Sequence, residues 1–166
     1  MVKVAVVMGS KSDATLVKRC TGTLERLSIP YEIRIMSAHR TPSIVMDYAS
    51  SARNRGVEVI IAAAGKAAHL AGVISACTSL PVIGLPVKSS TLDGLDSLLS
   101  TVQMPRGIPV ATVAIDGAEN AALLAARILS IGDCRVRKEL EAYAVGMKEE
   151  VIKDDRDLIS NVEGGI

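Results

Sequence analysis

The fold is decided by VKVAVVMGSKSDATLVKRCTGTLERL, residues 2–27. Its opening run, Val2–Met8, is apolar apart from Lys3, which is the pattern of a strand buried on both faces of a parallel sheet. Gly9-Ser10-Lys11-Ser12 breaks the run, and from Asp13 to Leu27 apolar residues recur at helical spacing. The stretch is one strand–loop–helix unit. Working outward, Val57–Ala63, Pro81–Val87 and Pro109–Ile115 repeat the apolar run, while Tyr31, Ile33 and Ile35 alternate with Glu32, Arg34 and Met36, as suits a strand nearer an edge. Between them lie amphipathic stretches at Thr41–Asn54, Ala67–Cys77, Leu95–Gln103 and Ala118–Ser130. Thr41 is placed to cap its helix and Pro42 to open it.

Strands alternating with helices in this way predict an α/β sandwich of three layers with right-handed crossovers. For five strands the simplest arrangement is a parallel sheet in the flavodoxin-like order 2-1-3-4-5. The last segment differs in kind. Six basic and nine acidic residues fall within 133–166, and Asp133–Asp157 reads as an exposed charged helix with a thin apolar set, followed by SNVEGGI as a frayed end. We therefore expect one domain over 1–132 and a helical tail over 133–166 that bridges to a neighbouring subunit.

Composition narrows the function. Apolar residues make up 49% of the 166, yet there are three Tyr and neither Phe nor Trp. The core must be aliphatic, and base-stacking readers of nucleic acid lack their ring platforms here. A net charge of +1 also falls short of the basic signature of a phosphate-backbone binder. No run approaches the roughly 18 apolar residues of a membrane span, and MVKVAVVMGSKSD turns polar too early for a secretory leader. A soluble, cytoplasmic protein is expected, acting on neither nucleic acid nor membrane. Its apolar excess points to a homo-oligomer. Cys20, Cys77 and Cys134 form no CxxC pair and neither histidine has a neighbouring ligand, so neither a disulfide framework nor a metal site is expected.

In open parallel sheets ligands bind beyond the carboxyl ends of the strands, near the point where strand order reverses. Those ends carry Met8-Gly9-Ser10-Lys11-Ser12-Asp13, Ser37-Ala38-His39-Arg40-Thr41-Pro42 and Ala64-Gly65-Lys66-Ala67-Ala68-His69-Leu70, and the fourth adds Lys88-Ser89-Ser90. Both histidines of the chain lie there. The Gly-Ser-Lys-Ser loop has the chemistry of an anion cradle at a helix start, although the same residues serve equally as a cap, with Ser12 or Asp13 capping. Arg40 at the next helix start opposes the helix dipole, which a bound anion would explain better than tolerance at an exposed position. His39, flanked by small residues beside that anion site, is a candidate general acid/base. His69 on an apolar helix start fits a ligand contact or a hydrogen-bonded core histidine.

At these same loops the sequence resembles the PurE family, in particular its class I N5-carboxyaminoimidazole ribonucleotide mutases. The motifs are MGSKSD (8–13), SAHRTP (37–42), AAHL (67–70), GLDSLLSTVQMPRGIPVATVAI (94–115) and NAALLAARIL (120–129), so the likeness spans about residues 2–131. The resemblance implies a flavodoxin-like fold, a homo-octamer, and no metal or organic cofactor. It implies a reaction in which the carboxyl group on the exocyclic nitrogen of the imidazole ribonucleotide moves to ring carbon C4 by loss and recapture of CO2. Carried over by position, Arg40 and the Gly9-Ser10-Ser12 loop take the phosphate, Asp13 the ribose hydroxyls, and His39 the proton chemistry. Ser37, Ala38, Gly65, Lys66, His69 and Leu70 line the pocket. Two departures stand out: Gly65-Lys66 where class I members read Gly-Gly, and Leu70-Ala71 where they read Leu-Pro. Lys66 puts a cation either near a substrate carboxylate or in solvent, Ala71 loosens its loop, and direct carboxylation of aminoimidazole ribonucleotide stays open.

Overall fold

The computed structural model describes residues 2–163. Strands β1 (Val4–Met8), β2 (Tyr31–Ile35), β3 (Val59–Gly65), β4 (Val82–Val87) and β5 (Ala111–Thr112) form one parallel sheet in the order β2-β1-β3-β4-β5. Helices α1 (Ala14–Arg26), α2 (Pro42–Ser51), α3 (Leu70–Ala76), α4 (Leu95–Val102) and α5 (Ala118–Ser130) connect the strands, and α6 (Cys134–Glu163) ends the described chain. The flavodoxin-like three-layer architecture read from the apolar runs is the one observed.

Alternate residues of the central strands feed two cores. Val4, Val6 and Met8 of β1 pack with Val59 and Ile61 of β3 against Val17, Cys20 and Leu24 of α1 and an alanine-lined face of α5. On the opposite face Ala5, Val7, Ile60 and Ala62 meet Val45 and Ala49 of α2 and Leu70 and Ile74 of α3. Since both faces are covered, no polar residue interrupts β1 or β3, and this is why the strands read as unbroken apolar runs.

Helix α4 is inverted. Ser97 and Thr101 face inward, where the Ser97 hydroxyl lies 2.8 Å from the carbonyls of Val87 and Gly94 and Thr101 donates to Ser97 O at 2.7 Å. Leu95, Leu99 and Val102 face outward, each about half exposed. The close approach depends on Gly84 in β4: a Cβ there would meet Thr101 Cγ2 at 2.2 Å and Val110 Cγ1 at 3.0 Å.

Four sequence expectations are corrected in detail. The fifth strand was expected over Pro109–Ile115, but its ladder with β4 covers Ala111–Thr112 alone. Pro109 has no N–H to donate and its carbonyl is taken by the Ser75 hydroxyl at 2.7 Å, while beyond Val113 the chain enters a turn at Asp116 (φ 56°). Helix α3 begins at Leu70 rather than Ala67, because Lys66 takes a left-handed conformation (φ 57°) and His69 N–H closes a tight turn onto Ala67 O at 2.9 Å. Lys11–Asp13 is a 3₁₀ turn capped by the Ser10 side chain; Asp13 stands at the N-cap position of α1 but makes no side-chain capping bond, and Ser12 caps neither helix. The tail helix runs through Ser160 to Glu163 instead of fraying, with the Ser160 hydroxyl bonded to Arg156 O; Gly164–Ile166 of the expected frayed end lie outside the described residues.

The tail is pinned only at its root. Asp133 accepts the Arg135 N–H at 2.9 Å and Lys3 Nζ at 3.1 Å. The Lys3 ammonium and the Arg135 N–H hold the Asp133 carboxyl down at about 2. Val136 is buried, and Leu140 and Tyr143 pack on the α1–α5 core. From Ala144 to Asn161 every residue is exposed. No helix among the described residues is long and apolar enough to cross a membrane.

Candidate active site

All five strands run the same way, so the loops after β1, β2, β3 and β4 open at one edge of the sheet. With β1 between β2 and β3, the first three loops are neighbours, and together with the loop after β4 they enclose a cavity of about 610 Å³. Its lining includes Gly9, Ser10, Ser12, Asp13, Ser37, Ala38, His39, Arg40, Gly65, Lys66, His69 and Leu70. Every residue singled out from the sequence is therefore brought to one place. The lining also includes Ala64, Ala67, Val87, Lys88, Ser89 and Ser90. The two alanines and Val87 carry no chemical signal in sequence; Lys88-Ser89-Ser90 could be placed only by its position after a strand.

One corner suits an anion. Arg40 Nη2 donates to the carbonyl of Gly9 at 3.1 Å, so the guanidinium is drawn across the mouth onto the first loop instead of lying along the axis of α2. Its backbone N–H is held by the Ser37 hydroxyl at 3.2 Å. Thr41 precedes α2 as expected but makes no side-chain cap: its hydroxyl donates to Ser37 O at 3.1 Å and accepts from Ser37 N–H at 3.0 Å, closing the loop that presents His39 and Arg40. Ser10 accepts the Ser12 N–H at 3.3 Å, and Ser12 donates to Asp13 Oδ1 at 3.0 Å. The corner thus offers a guanidinium, the hydroxyl proton of Ser10 and a helix start, while Ser12 spends its hydroxyl proton on Asp13.

Asp13 is buried behind these serines with no cation against it among the described residues. Burial raises its carboxyl above the ordinary aspartate value, against the pull of the Ser12 hydroxyl and the Ser10 backbone. A buried carboxylate with lone pairs turned to a cavity is built to accept hydroxyl donors from a ligand.

On the same lining the two imidazoles meet. His39 Nε2 and His69 Nδ1 are 2.8 Å apart, their rings edge to face with centroids 5.0 Å apart. At that separation one nitrogen donates and the other accepts, so a hydrogen bond joins the two rings. His69 is thereby a partner of His39 and not a core histidine. Around the pair the walls are small: Ala38, Ala64, Gly65, Ala67 and Leu70. Gly65 lies against β4, where a Cβ would sit 3.3 Å from Val87 O. The arrangement can hold a phosphorylated, hydroxyl-bearing small molecule and exchange a proton with it at the His39 end.

Comparison with known proteins points to one family. A protein-family model described as AIR carboxylase matches residues 3–150. The chain is 57% identical over 148 residues to the N5-carboxyaminoimidazole ribonucleotide mutase of Pyrococcus horikoshii, covering 89% of this chain and 84% of that one. It is 54% identical over 152 residues to the protein of the same name from Saccharolobus solfataricus, covering 92% and 96%. Among solved structures, PurE of Treponema denticola superposes with a TM-score of 0.86 at 32% identity, covering 95% of this chain and 99% of that one.

Proposed function

The chain belongs to the AIR carboxylase family, and from that premise we propose that it is an N5-carboxyaminoimidazole ribonucleotide mutase of purine biosynthesis, moving a carboxyl group from the exocyclic nitrogen to C4 of the imidazole. The observation that carries the reading is the His39–His69 hydrogen bond at 2.8 Å, on the lining of one cavity with Arg40 and the Ser10 loop.

The phosphate occupies the corner of Arg40, Ser10 and Ser12, and the ribose hydroxyls donate to Asp13. This leaves the imidazole ring among small side chains beside His39. In the first step the bond between the exocyclic nitrogen and the carboxyl carbon breaks, CO2 departs, and His39 gives a proton to the nitrogen. C4 of the electron-rich ring then attacks CO2, the C4–carboxylate bond forms, and His39 takes back the proton displaced from C4. One proton leaves His39 and one returns, so the reaction is an isomerisation with no net acid or base consumed. His69, through that hydrogen bond, orients the His39 ring. The aliphatic walls hold CO2 near C4 and keep water from hydrating it. No step in this scheme draws on a metal or an organic cofactor.

We place the enzyme in the cytoplasm as a homo-octamer, with 1–132 as the catalytic domain and 133–166 as an arm onto a neighbouring copy. Two features support this. The outward face of α4 presents Leu95, Leu99 and Val102. The outer part of α6, roughly 27 Å long from Ala144 to Asn161, leaves Val145, Met147, Val151, Ile152, Leu158 and Ile159 exposed among the described residues.

The test is turnover. Purified protein given N5-carboxyaminoimidazole ribonucleotide yields the C4 carboxylate without ATP. His39→Asn binds the product within about threefold of wild type but turns over about 10²–10⁴-fold more slowly, the range of a lost general acid/base. No product from the wild-type protein, or near-normal kcat in the variant, would refute the assignment.

A further inference from the structure

Lys66 is a side chain in a place that disfavours one. It directly follows β3 with φ 57°, a left-handed conformation that glycine adopts freely and other residues seldom do. Three more non-glycine residues share that conformation: Ser28, Asp93 and Asp116. Each has a local partner. Asp116 accepts the Lys88 N–H at 2.8 Å, Asp93 pairs with Lys88 Nζ at 3.2 Å, and Ser28 N–H closes the turn after α1 onto Glu25 O at 2.9 Å. The ammonium of Lys66, among the described residues, makes neither a hydrogen bond nor an ion pair, yet Lys66 lines the cavity.

The cations of the cavity are Arg40, Lys66 and Lys88. Arg40 is committed to the Gly9 corner and Lys88 to Asp93. Lys66 is left, on the same short loop as His69 and on the cavity lining. Resting on the mutase reading, the ligand carries two anionic groups: a phosphate, which Arg40 takes, and the migrating carboxylate, present on nitrogen in the substrate and on C4 in the product. We propose that Lys66 holds that carboxylate, and is therefore the residue by which this site distinguishes carboxylated nucleotides from aminoimidazole ribonucleotide, which differs in lacking the carboxyl group. Both carboxylated forms are anions and the intermediate CO2 is neutral, so Lys66 acts on ground-state binding: it lowers KM more than it raises kcat.

The experiment measures affinity of the C4-carboxylated nucleotide and of aminoimidazole ribonucleotide for wild type, Lys66→Gly, Lys66→Met and Lys66→Arg by calorimetry. Loss of one charge-assisted contact at an exposed position predicts about tenfold weaker binding of the carboxylated nucleotide in the Gly and Met variants. Aminoimidazole ribonucleotide should change less than twofold, and Arg should restore most of the difference. The Gly variant relieves the left-handed strain, so its Tm should equal or exceed that of wild type; a merely structural lysine would not separate the two nucleotides in this way. Equal weakening of both nucleotides, or no change in either, would overturn the role of Lys66 while leaving the mutase reading intact. Failure of the wild-type protein to bind either nucleotide would overturn the site assignment and this role with it.

Discussion

Replacing Arg40 by Met tests the anion corner, because the structure fixes what the side chain can give. A guanidinium has five N–H groups; one is spent on Gly9 O at 3.1 Å, and the rest remain for the phosphate. A hydrogen bond to a charged group contributes about 1.5–3 kcal/mol. Arg40 is exposed, and screening by water and salt puts the expected value at the lower end, about 1.5 kcal/mol or slightly over tenfold in Kd. The assay is a cycle in which both partners are removed in turn: wild type and Arg40→Met, each titrated with aminoimidazole ribonucleotide and with the nucleoside that lacks the phosphate. Arg40→Met should weaken the nucleotide about tenfold and the nucleoside less than twofold, and the coupling should shrink as salt rises. Arg40→Lys should recover only part of the loss, since an ammonium cannot reach the Gly9 carbonyl and the phosphate with the same fork. Equal losses for nucleotide and nucleoside would show that Arg40 organises the loop but does not bind phosphate, and the orientation of ligand proposed above would fall.

Two further outcomes follow from burial and packing. Asp13→Asn keeps an acceptor for the Ser12 hydroxyl but removes a buried charge. The folded state raises the Asp13 carboxyl and so holds its proton more tightly than the unfolded chain; this penalty on the fold is absent below the ordinary aspartate value and complete above the raised one. The variant should therefore be more stable at neutral pH, on the order of 0.5–1 kcal/mol, with the gain vanishing in acid, while nucleotide affinity falls; a Tm that drops at pH 7 would contradict the argument. Gly84→Ala drives a Cβ to within 2.2 Å of Thr101 Cγ2 and should destabilise by about 1–3 kcal/mol in urea melts, with Thr101→Ala restoring most of it; an unchanged midpoint would show that α4 can simply shift outward.

Much of the fold was legible because both faces of the central strands are covered: Val4–Met8 and Val59–Ala63 admit no polar residue, and that pattern has one common architectural solution. The site was legible for the topological reason that parallel strands deliver their loops to one edge, so Ser10, His39 and His69 could be placed together before any contact was known. What could not be read depends on partners distant in sequence. Pro109 ends its ladder partly because Ser75 takes its carbonyl. The inward face of α4 carries Thr101, which comes close to the bare Gly84, and Ser97, whose hydroxyl meets Val87 O. Thr41 has a capping residue's chemistry, but its hydroxyl is taken by Ser37. The hydrogen bond between His39 and His69 arises from the geometry of two separate loops, and neither motif contains it.

The most direct test of the account follows the carboxyl carbon. N5-carboxyaminoimidazole ribonucleotide labelled with ¹³C in its migrating carboxyl group is given to the purified protein in buffer containing unlabelled bicarbonate, and the C4 carboxylate formed in the first turnovers is examined by NMR. Recapture of CO2 beside C4, with His39 shuttling the proton, predicts product that retains the label. Product drawn from unlabelled bicarbonate would contradict it.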